Sequence, residues 1–413
     1  MHLYLLVPTD SRTPHSLEVN GRHWSLQSVN PDSSPFNSSF PVSDRTIPAL
    51  QTFIRHRPSC EHIWIDAFCV PLAEPKRAQT LESMGYIYAR AKEVLVVLSE
   101  AARPALERMQ GGGGIGIEEL AVLEREEWVE RAWTYQEAVN SNVLVLTCEG
   151  EGSAIIRAAQ FFECMSTALQ ECKGSVSEKL CTYPRLNAFE DIMLDFWMAG
   201  YEERAALNVM SNMDRRVQAR KEDHFYAMIG AISSERASAL GKVEPCEAFI
   251  RVCEEKGDFS FIYSAARREE VPGRRWRPVI GDLPSILPWH GKGTGQPGRL
   301  CEEGLWLDSM LVVQPAPPQE EARIFVEEWL TLVWKDESHG HQDLEEAAYA
   351  TLQIMGFTGS QRWVSGAKGY FFPFEPVRSL VSYDRGDGKG LLYTPGVYIG
   401  AVKEKEGVSV LVG

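Results

Sequence analysis

The chain has 413 residues, 44% of them hydrophobic and 24% charged, which is ordinary for a globular protein and too long for one typical core. Its formal net charge of −15 argues against general affinity for DNA or RNA, because phosphate contacts need clustered Lys and Arg. No apolar run approaches the ~18 residues that a membrane span needs, the first residues lack a basic signal region, and a cytoplasmic location is expected.

Residues 1–60 are rich in turn formers, with Pro, Ser and Asn concentrated between Asn30 and Ser43. A short helix is predicted from Ile47 to Arg55, opened by Pro48 in its first turn. Ile63–Asp66 reads as a β-branched strand ending in an acid. Pro75–Ala91 reads as one amphipathic helix, since Leu81, Met84, Tyr88 and Ala91 follow the helical period. Val94–Leu98 and Val143–Leu146 are continuous apolar runs of the kind covered on both faces of a parallel sheet. Gly111–Gly114 lacks the Lys-Ser/Thr of a phosphate loop and is a flexible connector. Ile117–Val139 is helical, in one or two pieces. The order β, α, β, α, β implies a parallel sheet with right-handed crossovers.

After Gly152, helical periodicity dominates at 154–170, 186–210, 216–232 and 245–255. A Pro-, Gly- and Trp-rich stretch follows from Val271 to Gly298. Helices are predicted at 320–334 and 343–355, and short strands at 370–372, 391–393, 397–399 and 408–412. The expected division is an α/β domain over 1–150, a helical extension over 151–270 and a smaller mixed α+β domain over 271–413.

Two segments stand out chemically. His62-Ile63-Trp64-Ile65-Asp66 places an acid at the end of the predicted strand, and Arg131-Ala132-Trp133-Thr134-Tyr135-Gln136-Glu137 places Trp133 and Glu137 four apart, on one helix face. Strand ends and adjoining helices are where α/β domains build sites. An indole beside a carboxylate lowers local polarity and raises the acid's pKa. A purely structural account of the same residues stays open: Trp133 in the core, Asp66 capping a turn, Arg131 paired with Asp66 or Glu137. Cys69 reads as a small core residue. The nine cysteines contain no C-x-x-C pair, and no metal site is expected. His339 and His341 read as a solvated pair, His224 as a packed or surface residue, and Arg215, Arg216, Asp214 and Asp223 as ion-pairing residues. Arg274, Arg275 and Arg277 form a local basic patch, and Trp276, Trp289 and Trp306 are read as core or loop anchors. No Ser-His-Asp or Cys-His-Asn set is visible.

The sequence resembles the heterokaryon-incompatibility (HET) domain family. The resemblance rests on Trp64-Ile65-Asp66-Ala67-Phe68-Cys69-Val70, on Gln79, Met84, Ile87, Tyr88 and Ala91, and on Arg131 through Glu137. In order, these follow the patterns W-I-D-x-x-C-I, with Val70 in the last place, Q-x-x-x-M-x-x-I-Y-x-x-A, with one more residue between Gln79 and Met84, and R-x-W-x-x-Q-E. Asp223–Gly230 is similar to an element that often follows such domains. The family's opening Tyr-x-Ala-Leu-Ser-Tyr-x-Trp-Gly strand is missing, and Val19–Leu26 stands in for part of it.

The resemblance implies a cytoplasmic effector of fungal self/non-self recognition, innate immunity or programmed cell death. HET domains look like distant relatives of TIR domains, which share a flavodoxin-like parallel sheet flanked by helices. Catalytic TIR domains split NAD with a Glu in a W-x-x-x-E helix motif, the spacing of Trp133 and Glu137. By that analogy Glu137 and Asp66 are the candidate catalytic residues. Trp133, Arg131, Gln136, Tyr135 and Trp64 are the candidate substrate contacts, NAD is a substrate rather than a bound cofactor, and homo-oligomers are expected. The alternatives are a non-catalytic interaction domain that signals by self-association and an enzyme acting on another nucleoside or nucleotide.

Overall fold

The computed structural model describes residues 4–10, 17–28, 46–172, 182–192 except 187, 190 and 191, 204–233 except 214, 215 and 219, 241–281 except 265, residue 283, and residues 295–312, 363–366, 377–384, 391–398 and 407–413. The chain divides into two compact units. The first takes Met1–Lys173, Arg185–Met193 and Val217–Ala248; the second takes Gly174–Pro184, Leu194–Arg216 and Phe249–Gly413.

The first unit is mixed α/β. It opens with an antiparallel sheet in the order β1-β3-β2, where β1 is Tyr4–Thr9, β2 Leu17–Val19 and β3 Arg22–Ser28. Asn20 (φ 52°) and Gly21 (φ 71°) make the tight turn between β2 and β3, a pairing of residue types that tolerates the left-handed region. Helix α1 (Thr46–His56) packs near this sheet. Leu6, Val19, Trp24, Leu50, Ile54, Ile63, Phe68 and Cys69 form one buried cluster.

Ile63–Asp66 is not the predicted strand. Ile63 makes a single bridge to Leu6 of β1, and Asp66 opens a short helix, α2 (Asp66–Cys69). The turn is set locally: Phe68 and Cys69 donate their N–H groups to Ile65 O, at 3.1 and 2.7 Å. Burial of Phe68 and Cys69 then anchors it. The predicted 75–91 helix is two pieces, α3 (Lys76–Glu82) and α4 (Met84–Arg90), parted at Ser83 (φ −100°, ψ 5°).

The second sheet has the order β4-β5-β6. Strands β4 (Val94–Leu98) and β5 (Leu144–Cys148) are parallel, in register from Val94 opposite Leu144 to Leu98 opposite Cys148. β6 (Ile156–Arg157) is antiparallel to β5. Among the described residues the parallel part is therefore this pair alone. The crossover from β4 to β5 runs through α5 (Arg103–Gln110), α6 (Ile117–Glu124), α7 (Glu127–Glu130) and α8 (Trp133–Asn140). The glycine connector closes α5: Gly111, Gly112 and Gly113 donate back to Glu107 O, Met109 O and Arg108 O. The other predicted helices of this part are found as α9 (Ala158–Glu171) and α10 (Lys221–Ile232).

The helix predicted at 245–255 is Pro245–Lys256. The second unit contains the helix Ala206–Met213, which overlaps the end of the stretch predicted at 186–210. Its sheet runs β11-β10-β9-β8-β12, with β7 beside β8; the ranges are β7 Arg299–Cys301, β8 Gly304–Val312, β9 Trp363–Ser365, β10 Val377–Asp384, β11 Leu391–Tyr398 and β12 Val408–Val412. The two strands expected at 391–393 and 397–399 are one, β11. Asp258 ties this unit internally, accepting from the N–H groups of Ala206, Ser260 and Gln296 at 2.6, 3.0 and 2.9 Å. Trp276 is buried against Phe259 and Phe261. Arg274 and Arg277 are paired with Glu269 and Glu254, so the basic patch is partly neutralised. The predicted elements at 320–334, 343–355 and 370–372 lie outside the described residues, as do Asp214, Arg215, Trp289, His339 and His341.

Among the described residues no helix is long and apolar enough to cross a membrane, and no group of three or more His, Cys, Asp or Glu side chains is placed to hold a metal ion.

Candidate functional site

Helix α8 is buried at Trp133, Thr134, Tyr135, Gln136, Ala138, Val139 and Asn140; Glu137 is its one partly exposed residue. A helix apolar or buried nearly all round belongs to the core, and a carboxylate at its single outlet needs partners. Trp128 Nε1 donates to Glu137 Oε2 at 2.8 Å, and the Tyr88 hydroxyl donates to Oε1 at 3.3 Å.

The local fold explains how Trp128 gets there. Arg131 (φ −72°, ψ 142°) breaks the helix between α7 and α8, so the chain folds back. Thr134 Oγ1 donates to Trp128 O and pins the fold. The break is held from outside by Val217, whose N–H donates to Glu130 O at 2.9 Å and whose carbonyl accepts from Ala132 N at 3.0 Å.

Arg131 reaches Asp66, with Nη2 to Oδ2 at 3.4 Å, and the two side chains are 40% and 33% exposed. Asp66 Oδ1 also accepts the Ala67 N–H at 2.8 Å. Arg131 feels both Asp66 and Glu137. Burial alone would lower its pKa, but Asp66, Glu137, Glu127 and Tyr88 together push it upward. Glu137 is raised above the ordinary carboxylate range. Burial is the main cause; Arg131 opposes it, the Asp66 charge adds to it, and the Trp128 and Tyr88 donors oppose it. Burial, then the Glu137 and Asp66 charges, push the Tyr88 phenol well above its usual value.

Asp66, Arg131 and Glu137 are thus brought together. Trp64 stands beside the group, edge-on to Tyr88 with ring centroids 5.5 Å apart. Its indole N–H is buried and has no hydrogen-bond partner among the described residues. Trp133 is buried on α8, while Trp128 supplies the indole that bonds Glu137. Tyr135 and Gln136 are fully buried on other faces of α8. Gln136 lies against α10: a Cβ at Gly230 would come within 1.6 Å of Gln136 Oε1. Asn140 Nδ2 donates to Gly230 O at 2.6 Å at the same crossing.

Reading the sequence missed Trp128 and the role of the Tyr88 hydroxyl. Tyr88 carried a signal as part of the family-like motif. Trp128 carried none, because helical spacing does not cross the break at Arg131. Cys69 is buried, with its thiol pushed up to about 12 chiefly by burial, as suits a core residue rather than a nucleophile.

The geometry defines a small α/β unit with a polar cluster at one helix. Residues 16–112 match the family model described as Heterokaryon incompatibility protein (HET), so this part of the chain is similar to that family. The match contains Trp64, Asp66 and Tyr88 and ends before Trp128, Arg131 and Glu137. No curated protein and no solved structure matches the chain.

Proposed function

We propose that this chain is a cytoplasmic HET-type effector of heterokaryon incompatibility and regulated cell death, and that the cluster at Glu137 hydrolyses NAD at the nicotinamide–ribose bond. The observation that carries the reading is that the one partly exposed position on an otherwise buried helix is a carboxylate, held by two donors beside Asp66 and Arg131. With both acids ionised the trio is net negative, which favours a cationic nicotinamide ribosyl group.

In this mechanism the C1′–N bond breaks and its electron pair leaves on neutral nicotinamide. Glu137 stabilises the ribosyl cation. Water adds at C1′ and releases its proton to Asp66 or solvent, while Arg131 holds Asp66 in place. The Trp128 and Tyr88 donors fix the Glu137 carboxylate before substrate arrives, so little reorganisation remains.

The test uses the purified full chain over a wide range of protein concentrations, with nicotinamide release as the readout. Wild type is expected to consume NAD, and Glu137→Ala to lose at least ~100-fold while staying folded. A folded wild type that releases no nicotinamide at any concentration rejects the catalytic reading and leaves signalling by self-association.

A further inference from the structure

A second polar cluster lies in the same unit and shares no residue with the group around Glu137. His56 closes α1, Thr147 lies near the carboxyl end of β5, and Ser153 lies on the loop that follows. His56 Nε2 is 3.1 Å from Ser153 Oγ and 3.3 Å from Thr147 Oγ1, and Thr147 Oγ1 donates to Ser153 Oγ at 3.1 Å. The Ser153 hydroxyl also donates to Gly150 O at 3.4 Å, a long bond that the proton leaves when it turns to His56. His56 and Ser153 are 97 residues apart, so only the tertiary fold joins them.

The placement suits chemistry. The carboxyl ends of parallel strands are where open α/β sheets build sites. Gly150 (φ 99°) and Gly152 (φ 67°) shape the loop through a backbone region that side chains rarely adopt. The imidazole is partly exposed, Ser153 is 6% exposed and Thr147 fully buried. The imidazole is therefore the most solvent-accessible member of the cluster. Burial and the neighbouring Arg57 and Arg55 charges lower the His56 pKa, which keeps the ring neutral as a base requires.

We infer that Ser153 and His56 form a nucleophile–base pair that cleaves small carboxylic esters, with Thr147 positioning the serine hydroxyl. Ser153 Oγ attacks the carbonyl carbon while His56 Nε2 takes the hydroxyl proton. The tetrahedral adduct collapses, the ester C–O bond breaks, and His56 returns the proton to the leaving alcohol. Water, deprotonated by His56, then attacks the acyl-serine; the acid is released and the proton returns to Ser153.

The experiment treats the full chain with a serine-reactive alkyl fluorophosphonate and maps the adduct by peptide mass spectrometry. Wild type is expected to carry the adduct on Ser153. His56→Gln is expected to label at least ~100-fold more slowly, the scale of a lost general base. Glu137→Ala is expected to label at the wild-type rate, which separates this site from the NAD reading. Turnover of p-nitrophenyl acetate should disappear in Ser153→Ala. No adduct on Ser153 of the folded wild type, or equal labelling of wild type and His56→Gln, overturns the proposal and leaves a purely structural hydrogen-bond network.

Discussion

Trp128 and Glu137 sit on different helices nine residues apart, and the indole N–H of one holds the carboxylate of the other at 2.8 Å. The bond spans the break at Arg131, so it ties α7 to α8 and orients the acid at once. Trp128→Phe keeps an aromatic ring and deletes the donor. About 1.5–3 kcal/mol of stability should be lost in urea unfolding, the range for a hydrogen bond to a charged group. The donor favours the ionised acid, so its loss should move the Glu137 pKa further up. In an NAD assay the acid limb of the pH profile should shift to higher pH. An unmoved limb would show that the indole does not set the ionisation of Glu137.

A second relationship concerns helix crossing. A Cβ at Gly85 would come within 2.3 Å of Gly230 O, and one at Gly230 within 1.6 Å of Gln136 Oε1. Gly85→Ala meets backbone, which cannot swing away, whereas Gly230→Ala meets chiefly the end of a side chain. Both should destabilise by roughly 1–3 kcal/mol or more, with Gly85→Ala the worse. Gln136→Ala should recover part of the Gly230→Ala loss and none of the Gly85→Ala loss. Double-mutant cycles from urea unfolding measure this coupling. Additive losses for Gly230→Ala and Gln136→Ala would place the obstruction elsewhere.

Gln136 invites a further substitution. Among the described residues neither polar atom of its amide has a hydrogen-bond partner, although the residue is fully buried. Gln136→Met preserves length and removes an unsatisfied polar group, so stability should stay level or rise. A loss above ~2 kcal/mol by thermal or urea unfolding would mean that the amide is satisfied in solution.

The parts of this fold that were legible in sequence are those whose signal is local. Val94–Leu98 and Leu144–Cys148 are continuous apolar runs, and they pair in parallel. Ile63–Asp66 has the composition of a strand, yet local turn bonds to Ile65 and the burial of Phe68 and Cys69 end it after one bridge. The β2–β3 hairpin was readable from Asn20-Gly21, but the surrounding Pro- and Ser-rich stretch obscured it. Asp66 and Arg131 could be picked out because each stands at the end of an element, and Glu137 because it stands four residues from Trp133 on one helix. Trp128 and the pairing of His56 with Ser153 depend on tertiary folding across helix breaks and long loops, which no period encodes.

The cysteines offer an independent check on packing. Cys69 is buried and its thiol is pushed up to about 12, mainly by burial, whereas Cys60 and Cys301 are partly exposed. Thiolate is the reacting form. At pH 8, iodoacetamide should modify Cys60 and Cys301 in the native protein and leave Cys69 untouched until denaturant is added. Peptide mapping reads this directly, and early alkylation of Cys69 would contradict the core formed by β1, α1 and α2.

Glu124 couples the same unit to pH. Its carboxylate accepts the N–H groups of Arg185 and Leu186 at 3.0 and 2.9 Å. Burial raises its pKa to about 7; those two donors and the Arg185 charge oppose the rise, and Glu130 adds to it. Because the folded value lies above the ordinary 4.5, the protonated acid is the form the fold favours. The associated stability is fully present below about pH 4.5 and is lost as pH rises through about 7. It amounts to at most about 3 kcal/mol. Glu124→Gln does not titrate, so its disadvantage relative to wild type should be larger at pH 5 than at pH 8. Urea midpoints of both proteins at the two pH values measure the difference. An equal gap at pH 5 and pH 8 would show that Glu124 ionises like an exposed glutamate and that its burial is relieved in solution.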